Sequence, residues 1–466
     1  MSGSERDDAS ISDGLLVPLL DDELYELDEQ LQIRTNAARR AVSRYVPRPA
    51  DVLTIWRVIP LIVLLCCLTF KPSAPFLTPF LVSKGCSHEV LDALLYPIVS
   101  YASLPILAAI AALVYFIPPL AIVAVGWVAH VAVRLILLLC RGVPAMAAMQ
   151  LTWALAASTG PVLTALPYQL SPRPSFPTVT ALVRGSELLV HMVASTLGQT
   201  LAGVAPLYAL FVVSLVSITA GAAPLAVSVV TTRRPQRPPL FALESTKAVI
   251  AETTAAFHRD GERGFTWQLA LGRTAHGVAM NYATVVLDSL RHSPPNGALF
   301  AVGRLVGVAG SVAPVFLPAS AMGLVRAGIP PAVGICCVGM AIPLLTGVGG
   351  VGLACCCFVL YFFAVELSFS LCTTGLASAV SPHAIPVVMC TNAAVQALAE
   401  SLLLGLTASV AKMSAEQIMV VLGIVWAIIT LIEPPTSVAT GKQSPVPSPP
   451  GDHARLLVSS ETILAS

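Results

Sequence analysis

The sequence predicts an all-α membrane protein, and three observations carry that reading. Hydrophobic residues make up 56% of the 466-residue chain and charged residues only 11%, against about 25% charged in soluble domains. Mean hydropathy is +0.81. Crossing a bilayer takes about 20 mostly apolar residues, and twelve stretches of that kind follow one another. A net charge of +1 excludes a nucleic-acid partner recruited by global charge.

The elements follow in chain order. Residues 1–52 form a polar tail, acidic in "DDELYELDE" (21–29) and then basic through Arg34, Arg39, Arg40, Arg44 and Arg48, and it does not read as a secretory leader. Segment one (54–82) is apolar until "FKPSAPFLTPF" (70–80). There Pro72, Pro75 and Pro79 each remove a backbone donor, which predicts a kink or break beside protein or water. Segments two to six fall at 90–115, 117–140, 144–168, 178–203 and 206–231, completing an N-terminal bundle over 53–231. A polar linker, 232–264, then divides the segments six and six; its "LFALESTKAVIAETTAAF" has the helical spacing of a helix lying along the membrane surface. Segments seven to twelve fall at 265–289, 297–322, 327–346, 348–379, 384–411 and 415–433, within a C-terminal bundle over 265–435. The remainder, 436–466, contains "KQSPVPSPPG" and is predicted to be disordered.

The basic end of the N-tail and the Arg233–Arg237 cluster belong on the cytoplasmic side by the positive-inside rule, and an even number of spans places the C-tail there too. Two six-helix halves joined by a long cytoplasmic loop match the major facilitator architecture, in which pseudo-symmetric bundles enclose a midplane site. The span count alone also fits a channel or a lipid enzyme. No GxSxG, HExxH or Walker A motif is present, so neither an enzyme nor an ATP-driven pump is expected. None of the asparagines starts a glycosylation sequon. The 11 cysteines include no CxxC pair, and most lie in apolar runs where a thiol acts as a small hydrophobe; Cys86 is expected to face water. No metal and no cofactor are predicted.

Ionisable groups inside a span are costly and mark cavities or partners. Arg184, Glu187 and His191 share one face of segment five, a spacing that suits an internal salt bridge or a gate. Segment seven carries Arg273, His276, Asn281 and Tyr282; Arg273 is expected to snorkel or to pair with Glu366 or Glu400. Glu366 has no partner at helical spacing in segment ten, which favours a functional role. Asn392, Gln396 and Glu400 form one polar stripe on segment eleven, with Glu400 expected to line a cavity. His130 and Arg134 on segment three read as a snorkelling pair.

Several motifs, taken in order, resemble the reduced folate and thiamine transporter family. "KPSAPFLTPFL" (71–81) is similar to its first-segment signature, and "LLYPIVSYASL" (94–104) to its second segment. "MQLTWALA" (149–156), the run from Phe176 to "LGQTL" (197–201), "NYATVVLD" (281–288), "NGALFAVGRLVG" (296–307) and "ASAVSPHAIPVVMCTNAAVQALAES" (377–401) follow the pattern of later segments. The resemblance covers about 54–432. It implies a secondary carrier that imports a water-soluble vitamin by alternating access at the plasma membrane, with a proton or organic anion as the coupling ion. Folate carriers of the family hold bases in segments four, ten and eleven; the matching positions of segments ten and eleven here are Phe362 and Glu400. An acid at Glu400 would repel a folate dianion, so the resemblance favours a thiamine-like cation, read by Glu366 or Glu400. Tyr96, Val99, Tyr101, Asn281, Tyr282 and Gln396 complete the implied substrate set. The segment-one glutamate of the pattern is Ala74 and the segment-two tryptophan is Val99. Those departures keep two alternatives open: a receptor-like relative without transport, or an antiporter of the same superfamily for another organic metabolite.

Overall fold

The computed structural model describes residues 49–231, 243–259, 263–290, 296–347 and 350–432. The polar tails and the Arg233–Arg237 cluster lie outside them. Among the described residues the chain is helical with no strand, and helices stand at each of the twelve expected positions. Seven of these are long and apolar enough to cross a membrane by length and composition, and shorter apolar helices occupy Pro97–Leu113 and Ala415–Leu431.

The proline-rich stretch of segment one breaks the helix as expected. Helix Pro49–Thr69 ends, a short turn leads into a 3-10 turn at Ala74–Phe76, and helix resumes over Leu77–Ser83. The break is wrapped by protein, as an interrupted backbone in a membrane must be. Ser73 N–H donates to Ser214 Oγ of segment six at 3.3 Å, and the two hydroxyls lie 2.9 Å apart. The Pro72 carbonyl sits so close to Gly198 of segment five that a Cβ there would lie 2.3 Å from its oxygen.

Segment four is also divided, into Val143–Ser158 and Gly160–Leu170. Thr159 at the division fills the space left open by Gly126 of segment three. Segment six divides at Gly221, and Trp127 of segment three donates its indole N–H to the Ile218 carbonyl there at 2.8 Å. The surface helix forms over Leu243–His258 and is docked at its C-terminal end: Thr266 Oγ1 donates to Ala256 O at 2.7 Å and Trp267 Nε1 to Phe257 O at 3.1 Å.

Two expectations need correction. Segment eight ends at Val315 and segment nine starts at Ala319, because Pro314 and Pro318 interrupt a run whose hydropathy is otherwise continuous. Cys86 does not face water but is 2% exposed, tucked among Leu81, Leu91 and Leu138; the exposed thiol is Cys356.

Segments eight (Asn296–Val312) and ten (Gly350–Ala379) pack through small residues, which let helices approach in the absence of a hydrophobic drive between them. A Cβ on Gly303 would meet the Phe362 ring at 2.7 Å, and one on Gly310 would meet the Phe363 carbonyl oxygen at 2.3 Å. From Arg57 onward the chain forms one unit by its contacts, and the halves meet along two seams: segment five against eight and ten, and segment two against eleven.

A methyl group at Gly310 cannot be absorbed, because the atom it meets is backbone. Gly310→Ala is expected to destabilise the purified protein by about 1–3 kcal/mol, the usual range for overpacking, read as a lowered melting temperature in detergent. Gly352→Ala, where nothing lies within 4 Å, should melt with the wild type.

Candidate functional site

The charged groups inside the spans gather where the two halves face one another. Arg184 of segment five (Phe176–Ala202) reaches Glu366 of segment ten, donating from Nη2 at 2.8 Å and 3.0 Å to the two carboxylate oxygens and from Nε at 3.2 Å. Its Nη1 donates to Glu187 at 2.8 Å, one turn along its own helix. Glu366 is 1% exposed and packs against Gly307 of segment eight, where a side chain would displace it. One guanidinium thus binds two carboxylates, one from each half.

Around this pair lies an aromatic wall. The Phe369 ring is flanked by Arg184 at 6.0 Å and by Arg273 of segment seven (Arg263–Asp288) at 5.9 Å. His276 stacks on Tyr361 and bonds its hydroxyl through Nδ1 at 2.9 Å, with the edges of Phe362 and Phe369 against it. Phe362 therefore occupies its position as packing, wedged into the gap at Gly303. Arg273 makes no ion pair among the described residues, contrary to the expected link with Glu366 or Glu400, because Arg184 engages the Glu366 carboxylate on both oxygens.

The segment-eleven stripe lies along segment seven. Asn392 is buried and donates to Thr266 O at 2.8 Å, Thr274 donates to the Gln396 carbonyl at 3.2 Å, and the Glu400 carboxylate fills the space beside Gly277. Glu400 and Gln396 are half-buried, as are Val99, Tyr282, Glu187 and His191; Asn281 is exposed and Tyr101 is 74% exposed. The side chain of Tyr96 lies outside the described residues. The structure thus joins Arg184, Glu187, Glu366, Arg273 and His276 in one neighbourhood, and sets Gln396 and Glu400 against the other side of segment seven.

Residues that spacing alone did not single out complete the seams. Arg304 of segment eight donates to the His191 carbonyl at 3.1 Å and to Ser195 Oγ at 2.8 Å. At the end of the molecule that carries the connections between segments four and five and between ten and eleven, Gln169 donates to Pro382 O at 2.9 Å. Arg173 donates to Val380 O at 3.1 Å beside it. Glu252 of the surface helix accepts from the Ser381 backbone N–H and from its hydroxyl. A base inside segment eight was the readable signal for Arg304; the loop contacts join residues more than 100 positions apart and leave no local trace. The expected snorkelling of His130 and Arg134 fails as well. They are 7% and 5% exposed, because the Lys71 stretch and Trp153 close over that face of segment three.

Residues 55–265 match the sequence pattern of the reduced folate carrier family. Over that stretch, a little under half of its length, the chain is similar to the reduced folate carriers. Folate transporter 1 of Caenorhabditis elegans is 30% identical over 134 residues, 28% of this chain, and the match spans only 30% of that protein's length. The fold is that of the major facilitators. The human organic anion transporter MFSD10 (TETRAN) superposes with a TM-score of 0.61 at 16% identity, over 83% of this chain and all of that one. An outward-facing bacterial homologue of the iron transporter ferroportin gives 0.58 at 14% identity, over 81% and 97%. The E. coli fucose:proton symporter gives 0.54 at 12%, over 81% and 99%. By its apolar helices the chain is a multi-pass membrane protein, with a major facilitator fold in which segments five and ten are tied by an ion pair.

Removing one partner of a buried pair strands the other charge and costs about 3–5 kcal/mol. Glu366→Gln should therefore lower the melting temperature, by less than that range because Glu187 still holds Arg184, and its effect and that of Arg184→Gln should be less than additive. Strictly additive effects in the double-mutant cycle would show that the two side chains do not depend on one another.

Proposed function

We propose that this chain is a secondary carrier that moves a folate-like organic anion across the plasma membrane by alternating access, with both termini cytoplasmic. The N-tail, the linker 232–264 and the C-tail then flank two six-helix bundles on the cytoplasmic side. The supporting observation is the balance of charge inside the spans. More than a turn from their segment ends, Lys71, Arg134, Arg184, Arg273 and Arg304 outnumber Glu187, Glu366 and Glu400. Charge inside a membrane span demands an opposite charge, and an anionic cargo supplies it. A thiamine-like cation, which Glu400 alone would favour, would add to the excess. Glu366 is already engaged by Arg184, so it does not serve as a free cation receptor in this conformation.

In this reading the Arg184–Glu366 pair holds the halves together at mid-depth. The Gln169, Arg173 and Glu252 contacts close the cytoplasmic end, and cargo enters from the opposite side. Asn281, Tyr282, Gln396 and Glu400 remain proposed lining residues of the C-terminal half, with Tyr96, Val99 and Tyr101 from segment two. A proton or an exchanged organic anion is the proposed coupling species.

The test is uptake of radiolabelled folate and thiamine into cells lacking their own carriers for both. Folate should accumulate saturably in cells expressing this chain and be displaced by unlabelled folate, while thiamine stays at background. Accumulation of thiamine alone would overturn the anion preference, and accumulation of neither would overturn the carrier reading.

A further inference from the structure

A second group of ionisable side chains lies away from the Arg184–Glu366 pair, inside the N-terminal half. Lys71 stands at the start of the segment-one break, where the chain turns inward at Pro72 and Ser73, both buried. Its Nζ lies 4.4 Å from the centre of the Trp153 ring of segment four. The same ring is met edge-on by His130 of segment three, with centres 5.4 Å apart. Arg134 follows His130 by four residues, so it lies one turn further on the same face.

Two of these side chains, His130 and Arg134, are buried with a polar atom unpartnered, and Lys71 beside them is half-buried. His130 and Arg134 are 7% and 5% exposed, and His130 Nδ1 and Arg134 Nε have no hydrogen-bond partner. Neither Lys71 nor Arg134 makes an ion pair among the described residues. Glu187 is the carboxylate that acts on Lys71, and it is already bonded to Arg184 at 2.8 Å. Nearly all buried polar atoms find partners in a native protein, and a guanidinium in a membrane does so with special urgency. Two unpartnered buried groups one turn apart, with a lysine held on the indole ring beside them, therefore mark a place for a ligand.

We infer that Lys71, His130, Arg134 and Trp153 form an anion subsite that binds a carboxylate of the cargo. The inference rests on the carrier reading and adds to it where the charge is met. A carboxylate entering this group would accept from the Lys71 ammonium and the Arg134 guanidinium, and the apolar part of the cargo would extend towards the seam between the halves. Arg134 suits this task because its planar fork meets both oxygens of a carboxylate. The indole of Trp153 holds Lys71 in place while leaving its charge available.

The experiment uses the full-length protein in lipid nanodiscs and two probes, tritiated para-aminobenzoylglutamate, a dicarboxylate, and its uncharged diamide. Wild type should bind the dicarboxylate much more tightly than the diamide. Arg134→Gln and Lys71→Gln should each weaken dicarboxylate binding about tenfold or more, as expected for losing a charged hydrogen bond, while diamide binding stays unchanged. Arg134→Lys should recover most of the affinity. Dicarboxylate binding at wild-type strength in both neutral variants would overturn the subsite and leave a positive uptake result standing. Equal binding of the two probes by wild type would overturn it even if a variant fails to fold, which a melting curve reports.

Discussion

A guanidinium placed inside a bundle of apolar helices has to be answered by negative charge from somewhere close by. Arg184 receives that answer twice, from Glu187 on its own helix and from Glu366 on a helix of the other half. Much of the architecture around it can be read as the means of delivering Glu366. Segment ten reaches the right depth because it runs for 30 residues, about 45 Å at 1.5 Å per residue. It reaches the right distance because glycines at 303, 307 and 310 of segment eight let it lie close. On the same helix Phe362 and Phe369 set their edges against His276 of segment seven, which fixes the face that segment ten turns inward. The ion pair is costly to desolvate and of little use as net stability, yet it fixes how one half is registered against the other.

Much of this fold could be read from the sequence. Hydropathy located the helices to within a few residues, since each must be apolar for most of its length to be at home in lipid. Proline located the break in segment one, for the reason that a missing donor is a covalent fact. Reading failed where chemistry did not change along the chain. Phe316 and Leu317 are as apolar as their neighbours, and the boundary between segments eight and nine is set by Pro314 and Pro318 alone.

The candidate site was legible only within single helices. The pairing of Arg184 with Glu187 follows from a three-residue spacing. Glu366 looked solitary for the same reason, since spacing says nothing about a partner 182 positions away. His130 and Arg134 suggested snorkelling because they approach the end of segment three. A side chain can snorkel only if the path to water is open, and the folded-back stretch at Lys71 closes that path. The same residues then change meaning, from a pair escaping the membrane to donors held inside it.

The glycine contacts of segment eight carry a mechanical consequence. Where Gly310 meets the Phe363 carbonyl, backbone touches backbone, and such a contact has no alternative rotamer to adopt. Segments eight and ten therefore behave as a single beam. On the opposite flank of the same beam, segment five is held by the side chains of Arg184, Arg304 and Ser195, which can release one acceptor and take another. Sliding between the halves is thus permitted along the segment-five flank and forbidden inside the beam, so the smallest piece of the C-terminal half that can shift at this seam is a helix pair.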